Sequence, residues 1–249
     1  MFAQDAFAYG RHSLLASARY TDHDSFGGYT TGALDYGFAL TPAVTTGIGY
    51  GTAFRAPDAS ERFLSFPAFG FYANPNLKPE TSRNLEASVK ARLAPMQNLR
   101  VSVFQNDIRQ LISTETDPVT FDTTYVNVNR ARITGVEAEY QAEFGGWSGG
   151  INGNLQRARN ADTGEHLLRR ADKSLSAQLM RHIGPHRIGL DLQAVGGRPD
   201  LDFSSYPSVH VNNGGYGLLT LLGEAQLRPK LTLGARVENL VLKGEALSG

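Results

Sequence analysis

Between residues 84 and 93 apolar and polar side chains alternate without a break. Leu85, Ala87, Val89, Ala91 and Leu93 fall on one side, and Asn84, Glu86, Ser88, Lys90 and Arg92 on the other. Successive side chains of a strand point to opposite faces, so this pattern predicts a strand with one apolar and one polar face. The same period returns between residues 134 and 144. There Val136, Ala138, Tyr140, Ala142 and Phe144 oppose Glu137, Glu139, Gln141 and Glu143. It returns again in Ile188, Leu190, Leu192 and Ala194, and in Leu231, Leu233, Ala235 and Val237. No window of similar length carries a 3.6-residue stripe, so the chain reads as all-β.

Alternation alone fits a soluble sandwich, which buries its apolar face, and a membrane barrel, which turns that face to lipid. The connections separate them. About twelve strands are expected. Short Gly- or Pro-bearing turns at 8–11, 41–43, 94–97, 145–146, 183–185 and 228–230 alternate with longer connections at 22–28, 54–80, 113–123, 159–166 and 198–214. Consecutive connections of a meander lie at opposite ends, so one end carries turns and the other loops. That asymmetry belongs to an antiparallel up-and-down transmembrane barrel. Tyr9, Tyr20, Phe54, Tyr140, Phe144, Trp147 and Tyr216 near strand ends are candidates for interfacial girdles.

Composition sharpens this picture. Across 249 residues, 24 Lys plus Arg balance 24 Asp plus Glu, which argues against a nucleic-acid partner. Cysteine is absent, so disulfides and thiolate chemistry are excluded. No run of 18 apolar residues offers a transmembrane helix, though strands need none. Residues 1–10 lack the basic and apolar regions of a signal peptide. Six histidines stand in no nucleophile–base spacing, and neither HExxH nor GxSxG occurs, so no enzyme activity is expected.

Four segments carry a family resemblance: GTAFRAPDASE from Gly51, NPNLKPETSRNLEASV from Asn74, NRARITGVEAEY from Asn129 and RVENL from Arg236. In this order they resemble the C-terminal half of TonB-dependent outer-membrane receptors. LLRRADKS from Leu167 and GRPDLDFSSYP from Gly197 resemble the cobalamin branch. The resemblance implies a Gram-negative outer-membrane location and a 22-stranded barrel around an N-terminal plug. It implies import of a large nutrient bound outside the cell, energised by TonB. This chain would supply about strands 10 to 21 as one unit, 1–249. Plug, TonB box and calcium-binding early strands would lie elsewhere, and calcium is the only cofactor the resemblance suggests. Residues 241–249 depart from the family pattern.

By the same resemblance, Arg169, Asp200, Phe203, Ser204, Ser205 and Tyr206 are candidate ligand contacts, rings packing on a macrocycle and hydroxyls meeting its amides. Arg55, Glu61, Lys90, Arg92, Glu137, Glu139 and Arg170 are expected as structural groups of the wall and lumen. No metal site is expected. Cobalamin or a related corrinoid is the first ligand expectation. A siderophore or haem receptor is the alternative, and a passive porin-like barrel is the alternative from another class.

Overall fold

The computed structural model describes residues 1–202 and 209–240. Fifteen strands follow in order: β1 (Phe2–Tyr9), β2 (His12–His23), β3 (Gly27–Thr41), β4 (Val44–Arg55), β5 (Phe71–Tyr72), β6 (Glu80–Ala94), β7 (Gln97–Thr116), β8 (Thr123–Phe144), β9 (Trp147–Asn160), β10 (Lys173–Ile183), β11 (His186–Val195), β12 (Arg198–Asp202), β13 (Val209–Asn213), β14 (Tyr216–Arg228) and β15 (Leu231–Val237). One short helix, α1 (Ala59–Phe63), and a 3₁₀ turn at Pro67–Phe69 complete the described elements.

Twelve of the strands form one antiparallel wall in the order β1-β2-β3-β4-β6-β7-β8-β9-β10-β11-β14-β15. β5 lies beside β8, and β12 with β13 makes a separate hairpin. Among the described residues, β1 and β15 each pair on one side only, so the wall is open.

The registers carry the apolar stripe across the wall. Phe7 faces Leu14, Leu14 faces Tyr36, Tyr36 faces Ile48 and Ile48 faces Ala87. From there Ala87 faces Val103, Val103 faces Val136 and Val136 faces Leu155. These side chains stay open to the surroundings: Ile48 is 52% exposed, Val103 50% and Leu155 60%. A soluble fold does not leave a band of this extent bare. The opposite face bears Glu86, Ser88 and Lys90 against Arg100 and Ser102, with Glu137 and Glu139 beyond them. Its side chains are more enclosed, as on the inside of a curved sheet; Ser102 is 3% exposed.

All six short connections are two-residue turns, at 10–11, 42–43, 95–96, 145–146, 184–185 and 229–230. Gly145 and Gly146 both take positive φ, 57° and 80°, the mirror-image turn whose twist suits a hairpin. The other end holds the longer connections, with two corrections. The segment 22–28 is not a long loop: His23 pairs with Gly27, leaving three residues between β2 and β3. Likewise β7 and β8 run on to the pair Thr116–Thr123, which shortens the loop expected at 113–123. Polar pairing continues above the apolar band, where alternation gives no signal.

At the turn end Tyr9, Phe38, Tyr140, Phe144 and Trp147 share the apolar face, and His12 lies 5.0 Å from Phe38 between ring centres. Tyr216 falls on the other parity of β14, with Thr220 rather than Leu221, so it leaves the girdle.

Candidate functional site

The loop end is built from residues 56–79, 117–122, 161–172 and the β12–β13 hairpin. Its first part is anchored by Arg55 at the top of β4. The Arg55 guanidinium donates to both oxygens of Glu80 (Nε 3.0 Å, Nη2 2.8 Å) and from Nη1 to both oxygens of Glu61 at 3.1 and 3.2 Å. Glu80 also accepts the Ile112 backbone N–H at 2.8 Å. Glu61 closes a reciprocal cap with Asp58 at the start of α1. A five-residue helix has little stability of its own, so the cap and the Arg55 fork hold it. Arg55 and Glu61 therefore tie β4, α1, β6 and β7 together. The Asp58 carboxyl is held below the usual carboxylate range by the Ser60 hydroxyl and the Glu61 N–H.

The rest of the segment folds back on β8. β5 lies parallel to Thr123 and Thr124, Thr123 N–H donates to Gly70 O at 2.7 Å, and Thr124 Oγ1 donates to Tyr72 O at 3.1 Å. Asn74 Nδ2 reaches Tyr125 O at 2.9 Å, and Asn127 exchanges hydrogen bonds with Lys78 at 2.8 and 2.9 Å. Leu77 is buried beneath it, at 3% exposure. This docking displays aromatic rings. Half of residues 63–72 are aromatic: Phe63, Phe66, Phe69, Phe71 and Tyr72. Phe71 stands edge-on to Tyr125 at 5.3 Å, whereas Phe63 and Phe69 remain 65% and 85% exposed. None of these rings was among the expected contacts, although their density in a chain with 10% aromatics is a readable signal.

Two expected ligand contacts meet. Arg169 Nε donates to Asp200 Oδ1 at 2.9 Å, across 31 residues of sequence. Arg169 has a positive φ of 61°, costly for a non-glycine residue, and its N–H donates to Pro199 O at 2.7 Å. Asp200 further accepts from Leu201 N–H and Asn213 Nδ2, both at 2.9 Å. The Arg169 hydrogen bond, then the Leu201 N–H, holds the Asp200 carboxyl below the usual range. Arg169 is thus engaged by a carboxylate that clasps the 161–172 loop to the β12–β13 hairpin. Phe203, Ser204, Ser205 and Tyr206 lie outside the described residues.

The wall candidates lie mostly on the polar face. Lys90 and Glu139 both stand opposite Arg100, which donates to Glu86 at 2.6 Å. Glu139 accepts from Gln141 at 2.7 Å, Glu137 sits opposite Ser102, and Arg92 Nη2 donates to Pro42 O at 3.2 Å. Arg170 departs from the expectation. It is exposed in the connection between β9 and β10 and belongs to no wall strand. Among the described residues no three His, Asp or Glu side chains converge as metal ligands.

The sequence profile of the family described as TonB dependent receptor-like, beta-barrel matches residues 1–240. Three solved structures share the fold. One is a mutant of the ferric enterobactin receptor of Pseudomonas aeruginosa in complex with enterobactin, with a TM-score of 0.76 at 22% identity over 96% of this chain. Another is the copper transporter OprC, with a TM-score of 0.74 at 19% identity. A third is the siderophore receptor PirA of Acinetobacter baumannii, with a TM-score of 0.74 at 17% identity. The chain spans 39%, 40% and 41% of their respective lengths.

Proposed function

The chain belongs to the TonB-dependent receptor β-barrel family, and from that premise we propose that it forms part of the wall of an outer-membrane receptor that takes up a bulky aromatic metal chelate of the siderophore class. The observation that carries this reading is the 56–79 segment, folded onto β8 with Phe69 exposed at the loop end and Phe63 exposed beside it under the Arg62 guanidinium at 4.6 Å. Bare rings held on a docked backbone suit flat aryl groups, since each stacked pair contributes about 0.5–1.5 kcal/mol beyond area burial. Transport is energised by TonB acting through a plug domain that fills the polar side of the wall. Support for such a partner comes from the charged groups of that side, where Lys90 and Glu139 stand opposite Arg100 and Glu137 opposite Ser102.

A corrinoid ligand is the weaker reading. It rests on two short segments, 167–174 and 197–207, the second of which includes residues 203–206 outside the described structure, and the similar structures include siderophore receptors and a copper transporter. Equilibrium binding of a ferric catecholate and of cobalamin to the full-length receptor tests both. The chelate is expected to bind and to weaken roughly three- to tenfold with Phe63→Ala or Phe69→Ala. Cobalamin binding with no chelate binding overturns the proposal.

A further inference from the structure

On five adjacent strands the outward face changes character abruptly above the apolar band. Leu85 gives way to Arg83 on β6, and Val103 to Gln105, Asp107 and Arg109 on β7. Val136 gives way to Thr134, Arg132 and Arg130 on β8, and Leu155 to Arg157 and Arg159 on β9. On β10 Leu175 gives way to Lys173. The registers set these positions in rows. Arg83, Asp107, Arg132 and Arg159 stand in one, Arg109 beside Arg130 in the next, and Arg157 beside Thr134 on the side of the apolar band. Six arginines and one lysine thus share a face with the apolar stripe, against Asp107 and, in the adjoining loop, Asp162. Arg132 pairs with Asp107 at 2.6 Å, and Arg130 lies 3.9 Å from Asp162. Arg159 donates to Gly164 O at 2.8 Å. The side chains of Arg83, Arg109 and Arg157 are exposed and have no hydrogen bond or ion pair among the described residues.

Position decides what such a grid can be. An outward Arg costs about 2–4 kcal/mol at the middle of a bilayer and near zero at its surface, so these rows mark the headgroup level. With strands about 4.8 Å apart, five of them make a basic strip roughly 20 Å wide. The other rim is sparser in cations. Arg11 and Arg181 lie over the rings of Phe38 and Trp147 at 5.8 and 5.2 Å, and Arg228 stands opposite Leu231 beside Lys230 of the turn. Guanidinium forks match phosphate oxygens in pairs, which a zwitterionic headgroup does not need and an anionic one rewards.

We propose that this strip binds the anionic phosphates of lipid headgroups in the outer leaflet, with Arg83, Arg109 and Arg157 as the uncommitted donors. The proposal rests on the outer-membrane reading above. A fluorescent bisphosphorylated lipid A, titrated into the full chain in zwitterionic detergent, tests it. Replacing the three residues together by Gln is expected to weaken binding tenfold or more, and added salt to weaken it further in the native chain only. Arg83→Gln and Arg157→Gln made singly are each expected to weaken it in the same direction, which keeps the test decisive if the triple variant does not fold. Exchanging Arg11 and Arg181 for Gln at the opposite rim is expected to leave affinity unchanged. Inorganic phosphate is expected not to displace the lipid, because the acyl chains must also lie on the apolar band. Equal binding of dephosphorylated lipid A, or unchanged affinity in the folded single and triple variants, overturns the proposal, as does displacement by inorganic phosphate alone. A chain that enters no vesicle overturns the membrane reading with it; one that enters vesicles with and without lipid A and ignores its phosphates overturns this proposal alone.

Discussion

Arg55 holds two carboxylates from different elements at once, with Glu61 and Glu80 only 12% and 14% exposed. Removing it leaves both enclosed and without a cation. Arg55→Ala is therefore expected to cost about 1–2 kcal/mol, discounted because the Arg55 side chain is itself 45% exposed. The loss should be local, read as faster amide hydrogen exchange across 56–79 with β8 unchanged. The Arg169–Asp200 clasp carries a pH signature. Asp200 titrates below its unfolded value, so its contribution is present above that value and is lost as pH falls through the lower, folded one. The β12–β13 hairpin is expected to stay docked at pH 5–7 and to loosen only below about 4. Exchange at Leu201 N–H followed against pH checks this, and Arg169→Ala should move the loosening upward. Release in the histidine range would show that another group controls the clasp.

At the level of elements, period-two alternation located the strands because half of each strand faces an apolar surrounding. Leu85 to Leu93 and Val136 to Phe144 were legible on that ground alone. Above the apolar band both faces are polar, so the upper parts of β7 and β8 and the extension of β2 to His23 carry no alternation to read. The Arg169–Asp200 pair was legible only as two candidates, since their contact depends on how two loops fold across 31 residues. Strand packing gives its own prediction. Gly135 on β8 faces Phe104 on β7, whose ring covers it. A Cβ there would stand 2.6 Å from the ring and 2.7 Å from Leu155 O. Gly135→Val should destabilise the β7–β8–β9 region by about 1–3 kcal/mol, read by denaturant titration in detergent. Gly223 has open space at the same test, and Gly223→Ala should be nearly neutral.

Among the described residues the chain is a wall with two free edges. Each edge strand presents unpaired N–H and C=O groups, costly in lipid. Residues 1–249 alone should therefore not close: cysteines introduced as Asp5→Cys on β1 and Ala235→Cys on β15 are expected to cross-link between copies rather than within one. An intramolecular disulfide as the main product would mean closure. The two-residue turns have a further consequence, for the route into the membrane. Because every one of the six joins a sequential pair, the twelve wall strands are six hairpins: β1–β2, β3–β4, β6–β7, β8–β9, β10–β11 and β14–β15. A hairpin tip of two residues drags few polar groups through hydrocarbon, whereas the 56–79 segment or the β12–β13 hairpin would drag many, each at several kcal/mol. The tips can lead and the loops cannot. Orientation across the bilayer is thus written into loop length as a one-way passage.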